Sequence, residues 1–261
     1  MLSKIARHFG LRSEGVFFCS LLVAMGLLRP GADGRATAEG PLSIRHVTVI
    51  DGMGAAPRAN QTVIISGDRI VEIGEDGSVS LPEEARILDG EGRYLIPGVW
   101  DMHVHLSQST ESALPALVAN GIVGVRDMGG FLPLIDRWRV LTEAGLMTGP
   151  RIVRPGPTVN GQAAAEWHLP VETAEQARGA VRALHKAGVD FIKIHNALSR
   201  EAYFALAGEC SALGTKFCGH IPKTVSPEEA VEAGQASLEH TETLFEGTFS
   251  ANLKQEKLLE A

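Results

Sequence analysis

From residue 42 to residue 95, apolar and polar residues alternate in short runs separated by turn sequences. Alternation with a period of two indicates strands with one buried face, and Asp51-Gly52, Gly67-Asp68 and Asp89-Gly90 are typical of turns between them. We therefore predict a small β-unit made of hairpins, in a domain of residues 39–95. Its strands are expected at 43–50, 61–66, 69–73 and 85–88.

After Pro97 the pattern changes to apolar runs that alternate with helical periodicity. Strands are predicted at 98–105, 122–128, 151–159, 191–195, 216–221 and 237–241. Helices are predicted at 111–120, 132–144, 173–187, 200–213 and 227–233, with Ser199 and Ser226 as N-caps. Such alternation indicates an α/β fold with a parallel sheet, in an open doubly wound form or as a barrel. No Gly-rich phosphate-binding sequence follows the first strand, which disfavours a nucleotide-binding fold.

The N-terminus has the pattern of a secretory signal peptide. Lys4, Arg7 and Arg12 precede an apolar run at 16–28, and Ala36-Thr37-Ala38 follows. The alternative is a membrane anchor, but the run is shorter than the roughly 20 residues that span a bilayer. We expect residues 1–38 to be removed near Ala38, which predicts an exported protein, periplasmic or extracellular, without a stable membrane anchor.

Composition and charge limit the classes of partner that the protein is expected to bind. The 261 residues are 44% hydrophobic and 21% charged, as in a globular protein. Loss of residues 1–38 removes five basic and two acidic residues, so the net charge changes from −7 to −10. A surface this acidic argues against nucleic acid as a partner. Cys210 and Cys218 would remain, and we expect buried thiols in preference to a disulfide.

The first candidate for chemistry is Asp101-Met102-His103-Val104-His105, at the end of the first strand after Pro97. Because side chains alternate along a strand, His103 and His105 share a face, and two imidazoles at i and i+2 could bind one metal ion. The alternative is a pair of structural histidines.

The second candidate lies at 189–195. Lys193 and His195 share one face of this strand, and Ile192 and Ile194 share the other. If the isoleucines pack against helices, Lys193 points into the sheet interior, where an unpaired ammonium is costly. A lysine of lowered pKa could react with carbon dioxide to give a carbamate that bridges two divalent ions. The alternative is a partnered structural lysine.

Single histidines end the next two predicted strands, His220 in Cys218-Gly219-His220 and His240 in Glu239-His240. Four histidines and a lysine at the carboxyl ends of parallel strands lie where barrel enzymes assemble their sites. We therefore predict a metal site from His103, His105, Lys193, His220 and His240. Near the same edge, structural roles are expected for Arg126, Asp127, Asn160 and His168.

Together these motifs resemble the amidohydrolase superfamily, particularly its imidazolonepropionase-like and prolidase-like members. The motifs are Ile96-Pro97-Gly98-Val99-Trp100-Asp101-Met102-His103-Val104-His105, the Lys193 strand, Gly219-His220 and Glu239-His240. The resemblance covers residues 42 to about 250. It implies a (β/α)8 TIM barrel, of which residues 96–261 would supply about six of eight units, beside a small incomplete β-sandwich formed by residues 39–95.

The resemblance also implies a binuclear centre, usually zinc. His103 and His105 would bind the more buried ion, His220 and His240 the more exposed one, and Lys193 would bridge them as a carbamate. A bridging hydroxide would attack the carbon of a carbon–nitrogen bond. The expected substrate is a small amide or a dipeptide, prolidase-like, and His195 could contact it or support a ligand. Cyclic amide hydrolysis, as in imidazolonepropionases, is the alternative.

Family members use an aspartate at the end of strand eight as metal ligand and proton shuttle. No counterpart is found before Ala261, and Asp101 is too close to the His103–His105 pair to replace it. We therefore expect the chain to be a fragment of a longer product, with an inactive, truncated metal-binding protein as the alternative. Its open sheet edges could favour a homo-oligomer.

Overall fold

The computed structural model describes residues 40–162 and 165–240. The predicted signal peptide lies outside the described residues, as does Thr241 at the end of the last predicted strand. Within the described part of the chain, no helix is long and apolar enough to cross a membrane.

The N-terminal region forms a five-stranded sheet. Its strands are β1 (Leu42–Val49), β2 (Arg58–Ser66), β3 (Arg69–Glu75), β4 (Arg86–Asp89) and β5 (Tyr94–Leu95). β1, β2 and β3 pair antiparallel, as predicted for hairpins. The prediction was wrong for the rest, because β4 and β5 pair with β1 in parallel. β2 already occupies one edge of β1, so the following chain pairs with the other edge.

Two parallel sheets follow. The first has the order β6 (Val99–Val104), β7 (Ile122–Asp127) and β8 (Arg151–Val153). The second has the order β10 (His168–Pro170), β9 (Thr158–Asn160), β11 (Ile192–Ile194) and β12 (Phe217–Gly219). Where a strand was predicted at 237–241, Leu238 makes an isolated parallel bridge to Gly219. An α/β fold with parallel strands is therefore present.

The strand predicted at 151–159 is divided between these two sheets. β8 ends at Val153 and β9 begins at Thr158, and Pro155 and Pro157 lie between them. Proline has no N–H to donate to a strand neighbour, so the pairing cannot continue through this segment. The prediction of one continuous strand was wrong for this reason.

All five predicted helices are present. They are α1 (Ala113–Ala119), α2 (Leu132–Glu143), α3 (Ala174–Lys186), α4 (Arg200–Leu213) and α5 (Pro227–Glu232). Ser199 Oγ accepts the Ala202 N–H at 3.1 Å, and Ser226 forms a capping box with Glu229, as expected of N-caps.

The two faces of β11 determine where Lys193 lies. Ile192 and Ile194 are fully buried in a core cluster that includes Tyr203 and Leu206 of α4. Phe191 packs in a separate cluster with Met128 and Cys218, so its side of the strand faces away from the helices. Lys193 shares that side, and the predicted orientation of this strand is confirmed.

Candidate metal centre

The first two candidate ligands lie at the end of β6. His103 Nδ1 donates to Glu239 Oε2 at 2.9 Å, and His105 Nδ1 donates to the Gly129 carbonyl at 3.0 Å. Each hydrogen bond leaves Nε2 as the ring nitrogen that could bind a metal ion. Asp101 Oδ1 accepts the His103 backbone N–H at 3.1 Å, so this carboxylate is engaged within its own strand.

Lys193 is buried at the centre of the second parallel sheet, with 1% of its surface exposed. It pairs with Cys218 on β12, and its neighbour Ile194 pairs with Val159 on β9. Nζ has no hydrogen-bond partner among the described residues. Burial, aided by the charge of Arg126, lowers the pKa of Lys193 to about 8. At pH 7 about a tenth of this amine is therefore uncharged and nucleophilic, compared with well under about 0.1% at its ordinary pKa.

Gly219 allows β12 to approach β11 closely. Its φ is +134°, and a Cβ at this position would lie 2.1 Å from the Ile194 carbonyl oxygen. Only glycine fits both requirements. The next residue, His220, donates its backbone N–H to that same Ile194 oxygen at 3.2 Å, which sets its ring beside that of His195.

The imidazoles form a continuous row along this edge of the sheets. The ring centroids of His103 and His105 are 5.4 Å apart, and those of His103 and His240 are 4.6 Å apart. The row continues from His240 to His220 at 4.9 Å and from His220 to His195 at 4.1 Å. Burial lowers the pKa of His220 to about 3 and that of His195 below its usual value, so both rings are neutral at pH 7.

His240 has a left-handed backbone with φ of +62°, and it directly follows a buried carboxylate. Burial alone would raise the pKa of Glu239, but hydrogen bonds from Ser237 and His103 and the charge of Arg126 outweigh it and lower that pKa. Arg126 Nη2 lies 2.7 Å from Glu239 Oε1. These residues link His103 to the chain segment that carries His240, its neighbour in the row.

Two residues for which structural roles were expected, Asp127 and Asn160, accept hydrogen bonds from the backbone of loops at the site. Asp127 is fully buried and accepts the backbone N–H groups of Leu106 and Gly129 at 2.8 and 3.2 Å. Burial raises the pKa of Asp127 above its usual value. Asn160 Oδ1 accepts two backbone N–H groups, from Gly161 at 3.0 Å and Ala197 at 3.1 Å.

A cavity of about 220 Å³ opens onto the row of imidazoles. Four of the five predicted ligands line it, namely His105, Lys193, His220 and His240. The remaining walls are formed by His168 and His195 with Gln108, Thr158, Met128 and Trp167. The fifth predicted ligand, His103, is not among the lining residues, and its ring centroid lies 4.6 Å from that of His240.

No protein-family model matches this chain. Among curated proteins, a dihydroorotase from Anaeromyxobacter dehalogenans is 33% identical over 102 residues, which cover 36% of this chain and 23% of the relative. An adenine deaminase from Rubrobacter xylanophilus is 28% identical over 115 residues, 42% of this chain and 19% of the relative. Among solved structures, a provisionally named prolidase from Bifidobacterium longum matches with a TM-score of 0.64 and 26% identity, over 74% of this chain and 52% of its own. These similarities support the resemblance of the chain to the amidohydrolase superfamily.

A second solved structure, that of phenylurea hydrolase B, matches with a TM-score of 0.65 at 25% identity. The match covers 77% of this chain and 60% of the relative. The chain thus spans about a fifth of the curated relatives' length and little more than half of the solved ones.

Amidohydrolases generally use a binuclear metal centre, and the donor set of this chain fits one. Two buried nitrogen atoms, Lys193 Nζ and His220 Nδ1, have no hydrogen-bond partner among the described residues, although burying such a group unpaired is costly. The imidazoles beside them are a ligand type that zinc and other divalent transition-metal ions bind. As the side chains stand, no three His, Cys, Asp or Glu residues of the described ranges converge closely enough to hold an ion. His220 and His240 instead stack ring on ring, with 25° between their planes.

Sequence reasoning missed two contributors to this candidate site. Trp167 lines the cavity from the segment before β10, where no strand was predicted. Glu239 was noted only as the neighbour of His240, although its carboxylate hydrogen-bonds to His103, 136 residues away. The one local signal was an acidic residue within the strand predicted at 237–241, because a carboxylate that becomes buried is costly unless it is paired.

Proposed function

We propose that the protein containing this chain is a metal-dependent hydrolase that cleaves carbon–nitrogen bonds in small amides or dipeptides. The observation that carries the proposal is Lys193, a buried amine that has no hydrogen-bond partner within residues 40–162 and 165–240 and that lines a cavity rimmed by histidines. A structural lysine would be expected to reach a carboxylate or solvent. The parallel strands would be part of a (β/α)8 barrel, of which this chain supplies about six units.

In this proposal, His103 and His105 would hold one divalent ion, and His220 and His240 would hold a second. Lys193 would supply an anionic oxygen ligand as a carbamate, for which its neutral Nζ forms a bond to the carbon of carbon dioxide and loses a proton. The resulting oxygen atoms suit hard divalent ions, and the imidazoles suit zinc, which we take as the metal.

When bound, the ions supply a water of lowered pKa and positive charge for the developing oxyanion. The residues of the chain bind and orient the substrate. His195 Nδ1 donates to Asn196 Oδ1 at 2.8 Å, so Nε2 is the nitrogen that can contact a substrate in the cavity. Trp167 and Met128 give the cavity an apolar wall.

A small substrate suits this cavity, because 220 Å³ is below the roughly 300 Å³ at which typical ligand pockets begin. A dipeptide with prolidase-like specificity is favoured by the solved relative provisionally named prolidase. Hydrolysis of a cyclic amide is the second candidate, favoured by the curated relatives named dihydroorotase. The deciding residues would line the cavity opposite Lys193.

The test uses the full-length protein that contains this chain, supplied with zinc or manganese and bicarbonate, against Xaa-Pro dipeptides, N-acyl amino acids and cyclic amides. Turnover is expected for one of these classes, and Lys193→Ala should reduce it by at least about 100-fold. A short carboxylic acid should restore part of the activity, because it can occupy the space of the carbamate. Lys186→Ala, on the exposed surface of α3, is the matched control.

Bound metal without turnover on any amide would support the alternative of a non-catalytic metal-binding protein. Full activity in Lys193→Ala would contradict the proposed role of the lysine. Export after cleavage near Ala38 and formation of a homo-oligomer stay predictions, to be checked by N-terminal sequencing of the secreted product and by light scattering.

A further inference from the structure

Arg126 joins three separate parts of the chain at the candidate metal centre. Its Nε donates to the Met102 carbonyl on β6 at 2.7 Å. Nη1 donates to Ser237 Oγ at 3.0 Å, and Nη2 donates to Glu239 Oε1 at 2.7 Å. A guanidinium holds such contacts in one plane, so Arg126 fixes the position of Glu239 relative to β6.

The carboxylate of Glu239 divides its two oxygens between this anchor and a histidine. Oε1 accepts from Arg126 and from Ser237 Oγ, the latter at 2.7 Å. Oε2 accepts from His103 Nδ1 at 2.9 Å. Glu239 is 6% exposed, so its charge depends on these donors, and charge-assisted bonds of this length are strong.

Attachment of the chain segment does not require this carboxylate. The Glu239 backbone N–H donates to the Gly219 carbonyl at 3.0 Å, and Leu238 bridges to Gly219 in parallel. Backbone pairing therefore already holds the segment against β12. What the side chain adds is an oriented acceptor for one ring nitrogen of His103.

We infer that Arg126 and Glu239 are positioning residues that fix the ring orientation and the tautomer of His103, so that Nε2 is presented to a metal ion. The inference rests on the proposed metal centre. His105 is oriented differently, by the neutral Gly129 carbonyl, so within the pair only His103 donates to a carboxylate. Because His240 follows Glu239 directly, the hydrogen bonds of Glu239 also restrict the position of His240, a member of the second pair of candidate ligands.

The test compares the full chain with Glu239→Gln, Arg126→Lys and Ser237→Ala. Nitrogen NMR of ¹⁵N-histidine-labelled, metal-free protein reports the tautomer of His103, and chelator competition reports zinc affinity. We expect the wild-type ring to carry its proton on Nδ1. Glu239→Gln should mix the tautomers and weaken zinc binding by about 10- to 100-fold. Arg126→Lys and Ser237→Ala, which keep the carboxylate but loosen it, should have smaller effects in the same direction.

Glu209→Gln is the matched control, because Glu209 is a partly buried carboxylate paired with Arg182 at 3.3 Å on helices α3 and α4. It should change neither readout. An unchanged His103 tautomer and unchanged zinc affinity in Glu239→Gln would overturn the inference. Absence of zinc binding by wild type would count against the proposed function alone, and the tautomer of His103 would still decide whether Glu239 positions it.

Discussion

Lys193 lies directly opposite Cys218 in the parallel ladder of β11 and β12, and both side chains are buried. Burial raises the pKa of the Cys218 thiol to about 11, so at neutral pH it carries no charge that could balance an ammonium. Among the described residues, Glu239 is the only carboxylate whose charge favours the protonated lysine. Glu239 already accepts hydrogen bonds from Arg126 and His103. Burial of the charged Lys193 side chain therefore costs free energy of folding, and formation of a metal-bound carbamate would remove this cost.

This cost predicts how stability depends on pH in the metal-free protein. The pKa of Lys193 is about 8 in the folded state and near its ordinary 10.5 when unfolded, so between these values the unfolded chain binds more protons. The free energy of unfolding should therefore gain a favourable contribution as pH rises from about 8 to 10.5. Urea titrations across this range measure it. Lys193→Met should lose this contribution and Lys186→Met should keep it; equal slopes in the two variants would contradict the assignment.

Gly219 is predicted to be intolerant of any side chain. Gly219→Ala places a Cβ in contact with the Ile194 carbonyl at a φ of +134°, so strain and displacement of β12 should cost about 2 kcal/mol or more. Urea denaturation measures the loss. Gly179→Ala, inside α3 with open space around it, is the control and should be neutral or stabilising by about 0.5–1 kcal/mol. A Gly219→Ala variant as stable as wild type would contradict the close approach of β11 and β12.

The helices were predictable because their signals are local. Ser199 and Ser226 cap α4 and α5 within three residues, and Gly214 ends α4 in a left-handed conformation with φ of +64°. The orientation of Lys193 was also predictable, because the alternation of side chains along a strand needs no knowledge of the partner strand. These features depend on neighbours in sequence.

The features that sequence reasoning missed depend on distant partners. β10 exists because it pairs with β9, and β4 is parallel to β1 because β2 occupies the other edge of β1. The role of Glu239 depends on Arg126, 113 residues earlier. No local pattern identifies such a pair, so the sequence could place the candidate ligands on one edge but not their supporting contacts.

The row of imidazoles should divide into metal-binding and substrate-binding members. His220→Gln should lower the bound zinc, because His220 supplies a buried nitrogen of the proposed centre. His195→Gln should leave zinc content within about 20% of wild type and reduce kcat/KM by about 10-fold or more, as expected for loss of a substrate contact. Elemental analysis and steady-state kinetics measure the two effects. Equal loss of zinc in both variants would indicate that His195 is also a metal ligand.

Arg154 is predicted to stabilise the side of the fold away from the ligands. Its Nε donates to Asp136 at 2.7 Å, Nη1 donates to the Gly188 carbonyl, and Nη1 also lies 3.6 Å from Asp190. This guanidinium is almost fully buried, so Arg154→Ala removes the side-chain donor of Asp136 and of the Gly188 carbonyl, while Asp190 keeps its hydrogen bonds from Arg139 and from a backbone N–H. The substitution should cost about 2 kcal/mol. Chemical denaturation measures it.

Arg178→Ala is the matched control for Arg154. Arg178 lies exposed on α3 and pairs only loosely with Glu175, at 3.3 Å, so its loss should change the free energy of unfolding by less than about 0.5 kcal/mol. Zinc content should be unchanged in both arginine variants. If Arg154→Ala were no more destabilising than Arg178→Ala, the contact between the end of β8, α2 and the turn before β11 would contribute no net stability.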